Sequence, residues 1–181
     1  MKGPHTRLAV DHDAAAIATI YNLEVLDSTV TMDLVARTLA EQREWVRRHQ
    51  GAHPAIVAVS HDTGTPARGA DTGVTDDGGR VVGFASLSPW RDRPAYRGTV
   101  ENSVYVERAS HGQGIGRLLL TEILRLATES GFHACMARIA GGNEPSVRLH
   151  RSCGFELVGI ERQVGRKFNR WIDVTLMERL L

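Results

Sequence analysis

Apolar positions along this chain switch between two periods, and the switches mark its elements. Thr6–Val10 is a short strand-like run. Ile17, Ile20 and Tyr21 then recur at helical spacing, with Asp11 or Asp13 placed to cap the helix. The segment 27–33 (DSTVTMD) reads as a loop. Leu39, Trp45 and Val46 give one apolar face to a helix over about Val35–His49. Ala55–Val59 is an unbroken apolar strand, and Arg80–Leu87 is its predicted hairpin partner. Thr99–Val106 is the next strand. Ile115, Leu118, Leu119, Ile123 and Leu126 set one face of a helix running to about Thr128, stopped by Gly131. His133–Ile139 is a strand. A short helix over 145–152 is opened by Asn143 and Pro145 and ends near Gly154. Two closing strands, about 155–164 and 171–179, are expected to turn near Gly165.

The order is β-α-α-β-β-β-α-β-α-β-β, with no internal repeat. It predicts a mixed sheet with helices, of α/β or α+β type. Residues 60–79 (SHDTGTPARGADTGVTDDGG) break the pattern and read as a solvated, mobile loop between two strands. With 181 residues, the chain suits a single domain carrying that loop.

Charge narrows the partners. Lys plus Arg total 22 against 21 Asp plus Glu, a net +1, which excludes the global basic surface of a nucleic-acid binder. Of those cations 20 are Arg, and residues 87–181 hold 14 basic against 10 acidic side chains. An anionic ligand is therefore sought in the second half, where Arg suits planar, bidentate anion binding. The two cysteines, Cys135 and Cys153, form neither a disulfide framework nor a zinc spacing. No metal is expected. No apolar run approaches a membrane span, and MKGPHTRLAVDHD has no signal core. The expectation is a soluble, reduced, cytoplasmic protein.

The sharpest motif is Arg108-Ala-Ser-His-Gly-Gln-Gly-Ile-Gly-Arg117, between a strand and the long helix. Glycines at 112, 114 and 116 let a ligand approach the backbone, and a helix N-terminus offers free N–H groups to an anion. Walker A would need Lys after Gly116, and GxGxxG from Gly112 would need Gly at 117; both fail. A tight turn alone would also use these glycines.

The loop resembles the pyrophosphate loop of the GNAT acyltransferases, pattern Q/R-x-x-G-x-G/A, with His111 in the first position. Thr99-Val-Glu-Asn-Ser-Val-Tyr-Val106, Gly131-Phe-His133, Asn143-Glu-Pro-Ser-Val-Arg-Leu-His150, Gly154-Phe155, Val164–Trp171 and Ile20-Tyr-Asn22 are similar to the phosphinothricin and methionine sulfoximine N-acetyltransferase branch. The likeness spans nearly the whole chain except 60–79. It implies a mostly antiparallel sheet of about seven strands flanked by helices, and acetyl-CoA as co-substrate. The implied cofactor set is Val104, Tyr105, Val106, His111, Gly112, Gln113, Gly114, Ile115, Gly116, Arg117, Asn143 and Ser152. Arg91, Arg93, Pro94, Ala95, Tyr96, Arg97, Asn102 and Ser103 match the branch's acceptor segments. It also implies a homodimer through residues 155–179.

Two side chains carry the chemistry in this reading. Glu101 is a lone carboxylate on an apolar strand, either paired at a solvent edge or buried as a general base; the branch's TVE glutamate favours the base. His150 is either packing on its helix or an acid or base, in the slot where many GNAT enzymes hold the tyrosine that protonates the leaving thiolate. Asn143 is either a plain cap or a pantetheine contact. Arg91, Arg93 and Arg97 either hold an acceptor carboxylate or stay solvated. The predicted activity is acetyl transfer to the amine of a small amino acid or analogue. Rival readings are a protein or aminoglycoside acceptor, or a non-catalytic acyl-CoA-binding module.

Overall fold

A computed structural model describes residues 3–61 and 79–181. Seven strands form one sheet: β1 (His5–Leu8), β2 (Ala55–Ser60), β3 (Arg80–Pro89), β4 (Thr99–Val106), β5 (Ala134–Ala140), β6 (Glu156–Lys167) and β7 (Arg170–Leu180). Their spatial order is β1-β2-β3-β4-β5-β7-β6. All neighbours are antiparallel except β4 and β5. Four helices complete the fold: α1 (Ala14–Asp27), α2 (Leu39–Arg48), α3 (Ile115–Glu129) and α4 (Glu144–Ser152). The expected architecture is the observed one. The 60–79 loop falls almost wholly on residues 62–78, outside the described residues.

The helices cover both sheet faces. Leu119, Leu120, Ile123 and Ala127 of α3 pack on Ile56, Ala85, Leu87, Val100 and Cys135. Ile17, Ile20, Tyr21 and Val25 of α1, with Val46 of α2, pack on Val57 and Phe84 of the opposite face. Each fully buried Leu or Ile contributes roughly 1.5–3 kcal/mol, so α3 is the main anchor of its layer. Because α3 joins β4 to β5, the two strands run parallel, as a helical crossover requires.

Two boundaries differ from the pattern. Helix α2 begins at Leu39, not Val35, because Thr38 accepts from the Glu41 N–H while Glu41 reaches back to the Thr38 N–H. Val35 is left exposed outside the helix. The last hairpin turns at Phe168-Asn169, not Gly165. Both turn residues have positive φ, 49° and 58°, between paired Lys167 and Arg170. Gly165 lies within β6, where a Cβ would sit 2.7 Å from the Met32 sulfur. Its small size serves a close approach from the α1–α2 connection. Lys167 strengthens that contact, donating to the Thr31 carbonyl at 3.0 Å and the Glu24 carbonyl at 3.4 Å. Burial holds its pKa below the usual lysine value.

Candidate active site

The site begins where two strands part. β4 and β5 pair only over Thr99–Glu101 and Ala134–Met136. At the next residue, the Asn102 Nδ2 donates to the Met136 carbonyl at 2.9 Å. A side chain takes the acceptor that a continued ladder would use, and the strands diverge. A cleft of about 640 Å³ opens between Asn102–Val106 of β4 and Ala137–Ala140 of β5. The separated β4 edge presents alternate backbone N–H and C=O groups to it, which suits the amides of an extended ligand arm.

The glycine loop closes one end of this cleft. Gly112 and Gly114 have φ of +76° and +81°, a region that favours glycine, and open space surrounds both. Gly114 is the N-cap of α3 and has no side chain to satisfy the first turn; the Leu118 N–H makes the first helical bond, to the Gly114 carbonyl. The N–H groups of Ile115, Gly116 and Arg117 are thereby left for an anion. Gly116 has a different reason: a Cβ there would lie 3.1 Å from Leu149 Cδ2, so glycine lets α3 approach α4. His111 and Arg117 also line the cleft. The His111 Nε2 lies 3.0 Å from the Val106 carbonyl and pins the loop to the end of β4. Gln113 turns away and donates to the Ala109 carbonyl. Arg117 is exposed and has no ion pair among the described residues.

Helix α4 forms the far wall. Asn143 is its cap, accepting from the Ser146 N–H at 3.2 Å. The two readings of Asn143 are compatible, because the capped Oδ1 leaves Nδ2 directed at no described residue while Asn143 lines the cleft. His150, 4% exposed, has Nδ1 at 2.8 Å from the Ser146 carbonyl and Nε2 at 3.0 Å from Asn102 Oδ1. Asn102 is oriented by its donation to Met136, so both ring nitrogens face acceptors. An imidazolium would satisfy both; burial opposes it and holds the pKa below the usual histidine value despite the Ser146 bond. The ring therefore has places for two protons and a weak hold on the second.

Glu101 stands on the other side of the sheet. It precedes Asn102 on one strand, so the two side chains leave opposite faces. Glu101 is half-buried; burial raises its pKa, nearby Arg138 opposes this and Glu161 adds to it. Arg138 and Glu161 form an ion pair at 2.9 Å. The gap between β4 and β5 joins the two faces, which lets a group held on one side meet a group held on the other.

The cleft thus gathers Asn102, Ser103, Val104, Tyr105, Val106, His111, Gly112, Gly114, Ile115, Gly116, Arg117, Asn143 and His150. Outside its lining lie Glu101, Gln113, Ser152 and the segment Arg91–Arg97. Ser152 donates to the Leu149 carbonyl. Pro94, Ala95, Tyr96, Arg93 and Arg97 are exposed, and the Arg91 guanidinium lies 5.0 Å over the Trp90 ring. Asn102 holds β5 and His150 together. The sequence reading passed over the β5 wall and Arg138, a lone charge in the apolar run ACMARIA. That is the signal that singled out Glu101. Arg108 and Glu24 line the cleft mouth as an ion pair at 2.7 Å. Cys135 is no nucleophile: burial pushes its thiol up to about 12. Among the described residues no His/Cys/Asp/Glu group is placed to hold a metal, and no helix is long and apolar enough to cross a membrane.

A splayed parallel strand pair, with an anion cradle at one end and a polar helix wall, defines an acyltransferase that draws on an acyl-CoA thioester. The chain belongs to the GNAT family: the acetyltransferase (GNAT) domain model matches residues 73–176. It is an N-acetyltransferase with acetyl-CoA as co-substrate. It is 38% identical over 168 residues to an L-methionine sulfoximine/L-methionine sulfone acetyltransferase of Pseudomonas aeruginosa, covering 92% of this chain and 88% of that one. A phosphinothricin acetyltransferase of Sinorhizobium meliloti, solved with acetyl-CoA, superposes with a TM-score of 0.85 at 33% identity, covering 99% and 89%. A ribosomal-protein-alanine N-acetyltransferase of Brucella melitensis superposes at 0.82 with 34% identity, covering 97% and 99%.

Proposed function

We propose that this enzyme acetylates the α-amino group of a small amino acid or analogue of the methionine sulfoximine or phosphinothricin type. The observation that carries the reading is Glu101, a half-buried carboxylate at the gap, on the face opposite His150. There it takes a proton from the acceptor ammonium. An α-amino group, with a pKa near 7.7–8.0, costs only about 1 kcal/mol to deprotonate at pH 7, whereas a lysine-like amine costs about 4–5 kcal/mol. A modest base therefore suits the first kind.

In this mechanism the pyrophosphate rests on the Gly112–Arg117 backbone and the pantetheine arm follows Val104–Val106, with Asn143 Nδ2 as a donor. The neutral amine attacks the thioester carbonyl, the C–N bond forms and the C–S bond breaks. As the amide forms, the attacking nitrogen gives up its second proton and the leaving thiolate takes one up through His150, which is imidazolium only in passing and ends neutral as it began; negative charge growing on sulfur offsets the burial penalty of that charge. Arg138 on the Glu101 face supplies a cation for the acceptor carboxylate, and Arg91, Arg93 and Arg97 lie on the adjoining loop. Gln113 and Ser152 act on backbone, donating to the Ala109 and Leu149 carbonyls.

We also propose a homodimer through the β6–β7 hairpin. β6 is a sheet edge, and Leu157, Val158, Ile160, Val164 and Trp171 are exposed there. The reduced cysteines and the co-substrate suit the cytoplasm.

Thiol release measured with acetyl-CoA and a panel of acceptors tests the substrate. Turnover with methionine sulfoximine or phosphinothricin is expected. The Brucella likeness makes a peptide with an N-terminal alanine the competing acceptor; faster turnover of that peptide would replace the small-molecule reading. Light scattering tests the dimer, and a monomer at micromolar concentration would exclude it.

A further inference from the structure

A general base must be emptied before the next turnover, and the strand register shows where its proton can go. Glu101 of β4 is the direct cross-strand partner of Ser88 of β3. Paired residues of an antiparallel ladder leave the same face, with Cβ atoms roughly 4.5–5.5 Å apart. On that face the ladder runs Tyr105–Phe84, Ser103–Ser86 and Glu101–Ser88, aromatic under α1 and α2 and polar toward the open end. Beyond Ser88 stands His49, at the C-terminal end of α2. Its Nε2 is 3.5 Å from the Ser88 hydroxyl, and its Nδ1 is 2.8 Å from the Trp45 carbonyl.

The tautomer of His49 follows from its partners. A carbonyl only accepts, so Nδ1 carries the hydrogen, and the Nε2 lone pair faces Ser88. The Trp45 ring stacks on the imidazole with centroids 4.0 Å apart and fixes its plane. Burial holds its pKa below the usual histidine value, the Trp45 carbonyl bond opposes this, and the charges of Arg37, Arg48 and His53 add to the depression. His49 is itself half-exposed, so a proton reaching it can leave to water.

We propose that Ser88 and His49 form the proton exit from Glu101. This rests on the reading of Glu101 as general base. The steps balance. Glu101 takes H⁺ from the acceptor ammonium as an N–H bond breaks and an O–H bond forms. The Glu101 O–H gives its proton to Ser88 Oγ while the Ser88 hydroxyl passes its own to His49 Nε2. His49 becomes an imidazolium, Glu101 returns to carboxylate, and the imidazolium releases H⁺ to solvent. Ser88 and His49 touch neither acetyl-CoA nor the reacting atoms in this scheme; they act through Glu101.

Four single variants and one double variant test it: Ser88→Ala, Ser88→Thr, His49→Ala, Glu101→Gln and Ser88→Ala with His49→Ala, each with kcat, KM for acetyl-CoA and thermal unfolding measured. Ser88→Ala and His49→Ala should each lower kcat by about tenfold, with KM for acetyl-CoA unchanged. The double variant should be no worse than either single one, because both break one path. Ser88→Thr keeps the hydroxyl and should keep kcat. Imidazole in the buffer should restore His49→Ala. If Ser88→Ala and Ser88→Thr fall together, or imidazole restores nothing, the two residues are structural and the proposal is overturned. If Glu101→Gln is crippled while Ser88→Ala and His49→Ala turn over normally, only the exit falls. If Glu101→Gln also turns over normally, the base reading falls and takes the exit with it. Should His49→Ala fail to fold, the Ser88→Ala and Ser88→Thr pair decides alone.

Discussion

The Asn102 side chain joins three elements at one point: its Nδ2 donates to the Met136 carbonyl and its Oδ1 lies 3.0 Å from His150 Nε2. One amide therefore ends the β4–β5 ladder and sets the His150 ring. Asn102→Ala should leave the Met136 carbonyl and His150 without partners in a buried setting. A loss of about 1–3 kcal/mol is expected from such unsatisfied groups, read as a lower Tm. It should also reduce kcat more than KM for acetyl-CoA. A variant with wild-type Tm and kcat would remove Asn102 from both roles.

His150→Phe should lower kcat by about 10²–10⁴-fold, the usual range for a lost acid or base. The same residue governs stability in acid. Its pKa is held below the ordinary value of about 6.5 in the fold, so at mildly acidic pH the unfolded chain binds more protons. The stability this contributes is fully present above about pH 6.5 and is lost as pH falls through the folded value. His49 has the same sign. The fall of Tm between neutral and acid pH should be shallower in His150→Phe than in the wild type. An unchanged slope would show that His150 is not held neutral.

Glu101 has the opposite sign. Burial raises its folded pKa, so its charged form costs stability at neutral pH and the cost vanishes once both states are protonated. Glu101→Gln should raise Tm at pH 7 and leave it unchanged below about pH 4, where Glu is protonated in either state. Its turnover should drop strongly while acetyl-CoA still binds by calorimetry. Unchanged turnover would exclude Glu101 from catalysis.

Gly114→Ala probes the cradle. A φ of +81° costs a side chain about 1–2 kcal/mol, so Tm should fall. Relief of that strain tilts the free N–H groups of the first turn of α3. KM for acetyl-CoA should rise several-fold with kcat less affected. By contrast Gly116→Ala meets Leu149 at 3.1 Å and should act on α3–α4 packing. Equal KM for Gly114→Ala and the wild type would count against the backbone cradle.

Periodicity and a few motifs were enough to make much of this protein legible. Apolar spacing outlined all seven strands and four helices, because burial on a sheet or against a helix demands periods of two and about 3.6. The glycine loop and Glu101 stood out as residue types that break those patterns, and Asn143 and His150 through the family resemblance. Their mutual placement was not legible. Gly165 looked like a turn, yet the contact with Met32, more than 130 positions away, explains it. Gln113 and Ser152 belong to motif segments but satisfy local backbone carbonyls. Arg91–Arg97 read as an acceptor cluster but lies outside the cleft lining, while Arg138 joins that lining from β5. The sequence determined which elements form and which residue types stand out against them, since those depend on near neighbours. Only the tertiary structure decided that β4 and β5 part at Asn102, that Glu101 and His150 serve opposite faces of one gap, and that Ser88 and His49 stand behind Glu101. Those relationships depend on strand register and packing between segments far apart in the chain, which no local spacing records.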